Sequence, residues 1–135
     1  MFSSLAFAKI NLLLKVTGRR NDGYHLLDSL VGFCEFGDRL EISVNEARDE
    51  FITEGTFGNE IGDNNIIRRT LEKFRETTKW EQPVRIRLEK EIPIGAGLGG
   101  GSSDAATTLR LLLQIPNSPP LTRRELFNMA LELGA

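Results

Sequence analysis

The sequence predicts an α+β fold, a mixed sheet packed on helices. Two observations lead there: strand-like alternation dominates the first fifty residues, and helical periodicities with one intervening strand fill the rest. Strands grouped ahead of helices argue against a regular βαβ series. No internal repeat or low-complexity tract divides the chain, and its 135 residues suit one domain with a sizeable core.

Each element follows from local pattern. Ile10, Leu12, Leu14 and Val16 alternate with Lys9, Asn11, Leu13 and Lys15, which predicts a strand with one buried face and with Lys9 and Asn11 together on the other. Asp22-Gly23, inside RRNDGYH, signals a turn. Phe36, Leu40, Ile42 and Val44 predict further strands broken by Gly37-Asp38, and Glu46 to Glu50 reads as a solvated connection before Phe51 and Ile52. Asp63 is the expected cap of a helix running to about Thr78, with Ile66, Ile67, Thr70, Leu71 and Phe74 on one face. Val84, Ile86 and Leu88 alternate with Arg85, Arg87 and Glu89 in a half-exposed strand. The next helix turns Ala105, Ala106, Leu109, Leu112 and Leu113 inward and stops before Pro116. Thr122 and Glu125 form a capping-box pattern for a last helix with Leu126, Met129, Ala130 and Leu133 on its apolar face.

Composition narrows the function classes. A net charge of −2 with both signs interspersed leaves no electrostatic footprint for nucleic acid and no polybasic patch for a membrane surface. The single cysteine, Cys34, excludes an internal disulfide and reads as a small half-buried apolar residue; with only one histidine besides, no zinc site is expected. No apolar run reaches a membrane span, and a strand pattern begins right after Phe2-Ser3-Ser4, so neither signal nor transit peptide is expected. A cytoplasmic domain is the expectation.

The most informative stretch is PIGAGLGGGSSDAA, Pro93 to Ala106, in which five of the seven residues from Gly95 to Gly101 are glycine. Glycine gives up more backbone freedom on folding than any other residue, so this density implies a tight bend that presents bare N–H groups to a close neighbour. The run opens into a helix, whose first amides lack intrahelical partners and sit at the positive end of its dipole. A glycine-rich turn feeding a helix start is a phosphate cradle. Gly95, Gly97 and Gly100 match the dinucleotide fingerprint, yet the preceding strand alternates with arginines and no strand follows the helix to complete a βαβ unit. No lysine stands before Ser102-Ser103, so the loop is not of the Walker type either. Positive charge must come from elsewhere, and Lys9 is the natural candidate.

AKINLLLKVTGRRNDGYHLLDSL, from Ala8 to Leu30, together with PIGAGLGGGSSDAA, resembles the GHMP kinases, in the branch that acts on 4-diphosphocytidyl-2-C-methyl-D-erythritol in the non-mevalonate route to isoprenoids. The resemblance extends over essentially the whole chain. It implies an N-terminal ATP-binding domain, similar in fold to a ribosomal-protein domain, and a small-molecule kinase that moves the γ-phosphoryl group of ATP to the substrate's 2-hydroxyl, with Mg2+ accompanying the nucleotide. Carried onto this sequence, the backbone of Pro93, Ile94, Gly95, Ala96, Gly97, Leu98, Gly99, Gly100, Gly101, Ser102 and Ser103 would wrap the ATP phosphates. Ser102 or Ser103 could touch phosphate or magnesium. Asn64 would lie near the adenosine, although a helix-capping role suits it equally. Tyr24 and His25 would hold the cytidine end, a ring to stack on the base and an imidazole for its edge. Asn11 would bond the substrate near the reacting hydroxyl, and Lys9, the catalytic residue, would lie beside the transferred phosphoryl.

In the family a catalytic aspartate and a second domain follow the last helix. Neither falls within residues 1–135, which end Glu132-Leu133-Gly134-Ala135. The expectation is that this polypeptide alone has negligible kinase activity, exposes apolar surface, and is marginally stable or self-associates. Two other readings stand beside this one: a GHMP kinase for mevalonate, homoserine or a sugar, which would have no evident use for Tyr24-His25, and an RNA-binding module, which the acidic balance opposes.

Overall fold

The computed structural model describes residues 1–134, in which four strands form one mixed sheet covered on one face by three helices. The strands are β1 (Phe2–Arg19), β2 (His25–Val44), β3 (Glu50–Glu54) and β4 (Val84–Glu89). The helices are α1 (Ile66–Thr78), α2 (Gly100–Gln114) and α3 (Arg123–Gly134), and a 3-10 turn occupies Gly58–Glu60. The sheet order is β1-β2-β4-β3. β1, β2 and β4 pair antiparallel, while β3 runs parallel to β4 and reaches it through α1. The expected α+β class holds, with one βαβ crossover inside it.

Period-2 alternation sets the layering. Val84, Ile86 and Leu88 point into the core beside Leu40 and Ile42 of β2. Ile67, Leu71 and Phe74 of α1, Leu109 and Leu112 of α2 and Met129 of α3 close the core from the other side. On the open face Arg85 meets Glu50 at 2.6 Å and Arg87 meets Glu54 at 2.7 Å, a charged ladder that keeps this side in water. At one end Arg75 binds Asp49 at 2.5 Å and the Gln82 carbonyl at 2.8 Å, joining α1 to both connections. Its guanidinium, by hydrogen bonding, holds the Asp49 carboxyl below the usual range despite partial burial. The capping box forms in both directions: the Glu125 amide donates to Thr122 Oγ1 at 3.1 Å and the Thr122 amide donates to Glu125 Oε1 at 3.0 Å.

Several expectations are corrected. The buried positions of β1 are Ala6 and Ala8, whereas Ile10, Leu12, Leu14 and Val16 are all exposed, Leu12 by 67%. The reason is length: β1 and β2 run on as a two-stranded arm past the edge of the helical layer, where nothing in the described residues covers either face. Leu27, Leu30 and Phe33 are exposed on the partner strand. Gly37 and Asp38 do not break β2. Gly37 lies against the Ala6 backbone, too close for any Cβ, and Asp38 turns its carboxylate into the core. The α1 cap is Asn65, whose side-chain oxygen accepts the Arg68 amide at 3.0 Å, and not Asp63. Ala106 and Ala130 face outward, Leu113 is half-buried, and Leu111 takes a core place instead. The expected turn forms: Gly23 has φ of +94° and the Tyr24 amide bonds Asp22 Oδ1 at 3.1 Å. Ala135 lies outside the described residues. No helix among them is long and apolar enough to cross a membrane.

Candidate active site

Between β4 and α2 the chain turns through Gly95, Gly97 and Gly99 at φ of +72°, +73° and +69°, alternating with Ala96 and Leu98. This left-handed repeat is the conformation that a Cβ penalises. Gly99 is also the N-cap of α2 and supplies no capping side chain. The first amide returned to the chain is that of Ser103, which donates to the Gly99 carbonyl at 2.9 Å. The N–H groups of Gly100, Gly101 and Ser102 are therefore left for something outside the helix.

Those amides border a cleft of about 530 Å³, with the glycine loop on one wall and Asn64, Asn65 and Arg69 from the start of α1 on the other. Ile66 of α1 lies 4.0 Å from where a Cβ on Gly101 would stand, so the two helix starts converge. Ser102 lines the cleft. Ser103 faces a separate groove with Phe7, Phe33 and Arg110 on the β1–β2 side. The two serines, equivalent in the sequence reading, thus look into different spaces.

The Lys9 amide donates to the Leu98 carbonyl at 2.7 Å, which ties β1 to the loop. Its side chain lies along Gly99, with Cβ 3.3 Å and Cε 3.4 Å from where a Cβ on Gly99 would stand. Any residue larger than glycine there would displace the lysine. Asn11 sits one turn of the pleat further along, exposed and opposite Val31. Tyr24 and His25 lie at the tip of the arm, where His25 pairs with Arg19. From Lys9 to Arg19 the strand can span up to about 33 Å at ~3.3 Å per residue, less the twist of the ribbon. The structure gathers Asn64 and the Pro93–Ser102 loop around the cleft, sets Lys9 behind Gly99 on the β1 side and not in the cleft lining, and leaves Tyr24 and His25 outside it.

Beneath the loop is a buried charge cluster that the sequence reading missed. Lys90 Nζ donates to Asp38 Oδ2 at 2.7 Å and to Asp104 Oδ2 at 3.0 Å, all three residues being at most 3% exposed. Asp38 Oδ1 accepts the Glu91 and Ile92 amides at 2.7 and 2.8 Å, while Asp104 Oδ1 has no partner. The cluster pins β2, the end of β4 and the first turns of α2 at one point. Burial, and then the Asp38 carboxylate beside it, push the Asp104 carboxyl up to about 8, against the pull of Lys90. Burial lowers Lys90, but its hydrogen bond to Asp38 and the Asp104 charge outweigh that and hold the ammonium above its ordinary value. Periodicity carried the missing signal. Lys90 continues the inward series Val84, Ile86, Leu88, and Asp38 precedes Leu40 and Ile42 at the same spacing. Asp104 stands one and two turns before the buried Thr108 and Leu111.

A mixed sheet whose last strand feeds a left-handed glycine loop and an uncapped helix start is an anion-binding frame. The family described as GHMP kinases N terminal domain matches residues 65–135, and this chain belongs to it. Among individual proteins, the chain is 47% identical over 137 residues to the 4-diphosphocytidyl-2-C-methyl-D-erythritol kinase of Chelativorans sp. (strain BNC1), covering 97% of this chain and 45% of that protein. It is 50% identical over 111 residues to the enzyme of the same name from Brucella abortus biovar 1, covering 80% of this chain and 37% of that one. A crystal structure of 4-(cytidine 5'-diphospho)-2C-methyl-D-erythritol kinase superposes with a TM-score of 0.77 at 39% identity, over 99% of this chain and 46% of that one. A mevalonate kinase structure superposes at 0.70 with 15% identity, a likeness of fold alone. The chain spans somewhat under half the length of the relatives it matches.

Proposed function

We propose that residues 1–135 form the N-terminal ATP-binding domain of a cytoplasmic kinase that phosphorylates the 2-hydroxyl of 4-diphosphocytidyl-2-C-methyl-D-erythritol. The observation that carries this reading is the uncapped start of α2 behind three left-handed glycines, facing a cleft of about 530 Å³. The amides of the Pro93–Ser102 loop hold the ATP phosphates, and Asn64 meets the adenosine side. Magnesium comes with the nucleotide; Ser102 offers a hydroxyl in the cleft to the ion or to phosphate. Lys9, beside Gly99, steadies the negative charge that builds on the moving phosphoryl group, and Asn11 orients the acceptor hydroxyl. The hydroxyl oxygen attacks the γ-phosphorus, the bond from that phosphorus to the oxygen bridging to ADP breaks, and the hydroxyl proton passes to a carboxylate base. The family resemblance supplies that base outside residues 1–135, so these residues alone bind nucleotide without turnover.

Tyr24 and His25 at the arm's tip take the cytidine. An acceptor gripped so far along the arm from Lys9 has to be elongated, which suits a cytidine diphosphate ester better than homoserine, mevalonate or a hexose. The test is product analysis by phosphorus NMR, with MgATP and the cytidyl substrate, on a polypeptide of the relatives' full length that contains this sequence. One new monoester at the 2-position is the expected product. Phosphorylation of mevalonate or homoserine in preference would overturn the substrate assignment.

A further inference from the structure

The cleft has a charge deficit. Its loop wall offers only amide dipoles, and Lys90, which also lines it, is committed to Asp38 and Asp104. Lys9 approaches from behind Gly99, on the β1 side. On the opposite wall stand two adjacent arginines with different fates. Arg68 lies over the Phe51 ring, 3.9 Å from its centroid, and is half-buried there. Arg69 is exposed, lines the cleft, and has no carboxylate partner among the described residues. Two carboxylates also line the cleft: Asp104, bound to Lys90, and Glu60, which like Arg69 has no charged partner among the described residues.

We propose that Arg69 is a binding residue for the polyphosphate tail of the nucleotide, closing on it from α1 while the α2 amides and Lys9 hold it from the other sides. The inference rests on the nucleotide reading of the cleft. An arginine beside a site that lacks its own lysine is a fitting donor: its planar fork takes phosphate oxygens in pairs and stays charged at any working pH. Arg69 is one helical turn past the Asn65 cap, on the stretch of α1 whose first residue adjoins Gly101, and it lines the same cleft as the free amides. Glu60 on the same rim disfavours an anion left without Arg69, which makes the arginine's contribution more visible on removal.

The experiment compares the polypeptide of full relatives' length with its Arg69→Gln and Arg69→Lys variants, measuring affinity for MgATP, for inorganic tripolyphosphate and for adenosine. An unchanged melting temperature would establish that the exposed substitution leaves the fold intact. Arg69→Gln should weaken ATP and tripolyphosphate alike by about 10-fold, the equivalent of one charge-assisted hydrogen bond, and leave adenosine unchanged. Arg69→Lys should recover part of the loss. No change in either phosphate ligand would overturn the proposal. So would a loss for ATP and adenosine but not tripolyphosphate, since the guanidinium would then be acting on the nucleoside. If the unsubstituted protein bound none of the three, the nucleotide reading itself would fall and the Arg69 role with it.

Discussion

If the proposed kinase function holds, replacing Lys9 with alanine in a polypeptide of the relatives' full length should lower kcat by about 10²- to 10³-fold, with a far smaller change in the KM for ATP. The magnitude is that of one preorganised charge aimed at the transferred group. Its asymmetry follows from the proposed binding mode, in which the nucleotide is gripped by loop amides that the substitution leaves in place. The main-chain bond from Lys9 to the Leu98 carbonyl, at 2.7 Å, does not depend on the side chain, so the loop keeps its tether to β1. Steady-state kinetics with both substrates varied would read this split directly. A loss confined to KM, with kcat within threefold of the parent, would remove Lys9 from the chemistry.

The second large effect concerns stability. Asp38→Ala should cost about 3–5 kcal/mol, because it strips one partner from a buried ammonium and leaves the buried Ile92 amide and the partly buried Glu91 amide without an acceptor. Against a typical total of roughly 5–15 kcal/mol for a domain, that loss removes a large share of the stability and shows as a marked fall in melting temperature. Asp104→Asn should behave in the opposite way. Asp104 keeps its proton in the folded state up to about pH 8 but would release it near the model-peptide value of 3.8 when unfolded. Between those two pH values the folded state holds the extra proton, so the parent loses stability as pH rises through this window and levels off above it. Asparagine carries no proton to lose. Denaturant melts at pH 5, 7 and 9 should show the Asp104→Asn variant gaining on the parent at each step, while Asp38→Ala remains the weaker protein throughout. A pH-independent difference between parent and Asp104→Asn would mean that Asp104 is ionised in its buried site.

Much of the frame was legible because local rules and tertiary packing agree in it. β4 and α1 bury the residues their periods nominate, the Thr122–Glu125 box closes, and the Asp22-Gly23 turn forms. The glycine loop could be read as an anion cradle because positive φ and an absent cap both leave a mark in composition. Two features escaped for physical reasons. The β1–β2 arm alternates as a half-buried strand should, but alternation records only that a face is apolar, not that anything covers it. The charge cluster was hidden by the opposite habit: Asp38 after glycine looks like a turn, Lys90 sits in a charged triplet, and Asp104 follows two serines. Each continues an inward period, and taking that period more seriously than residue polarity would have found all three. What no pattern in the sequence could show is which residues share the cleft. Asn64, Arg69 and Gly97 are brought together only by the convergence of two helix starts.

Whether the loop amides grip phosphate is tested most directly by amide NMR of the protein titrated with MgADP and then with adenosine. The predicted result is that the largest shifts with MgADP fall on Gly95 to Ser102, concentrated at the free N–H groups of Gly100, Gly101 and Ser102, and are absent with adenosine. Saturating MgADP with those amides unmoved would contradict it.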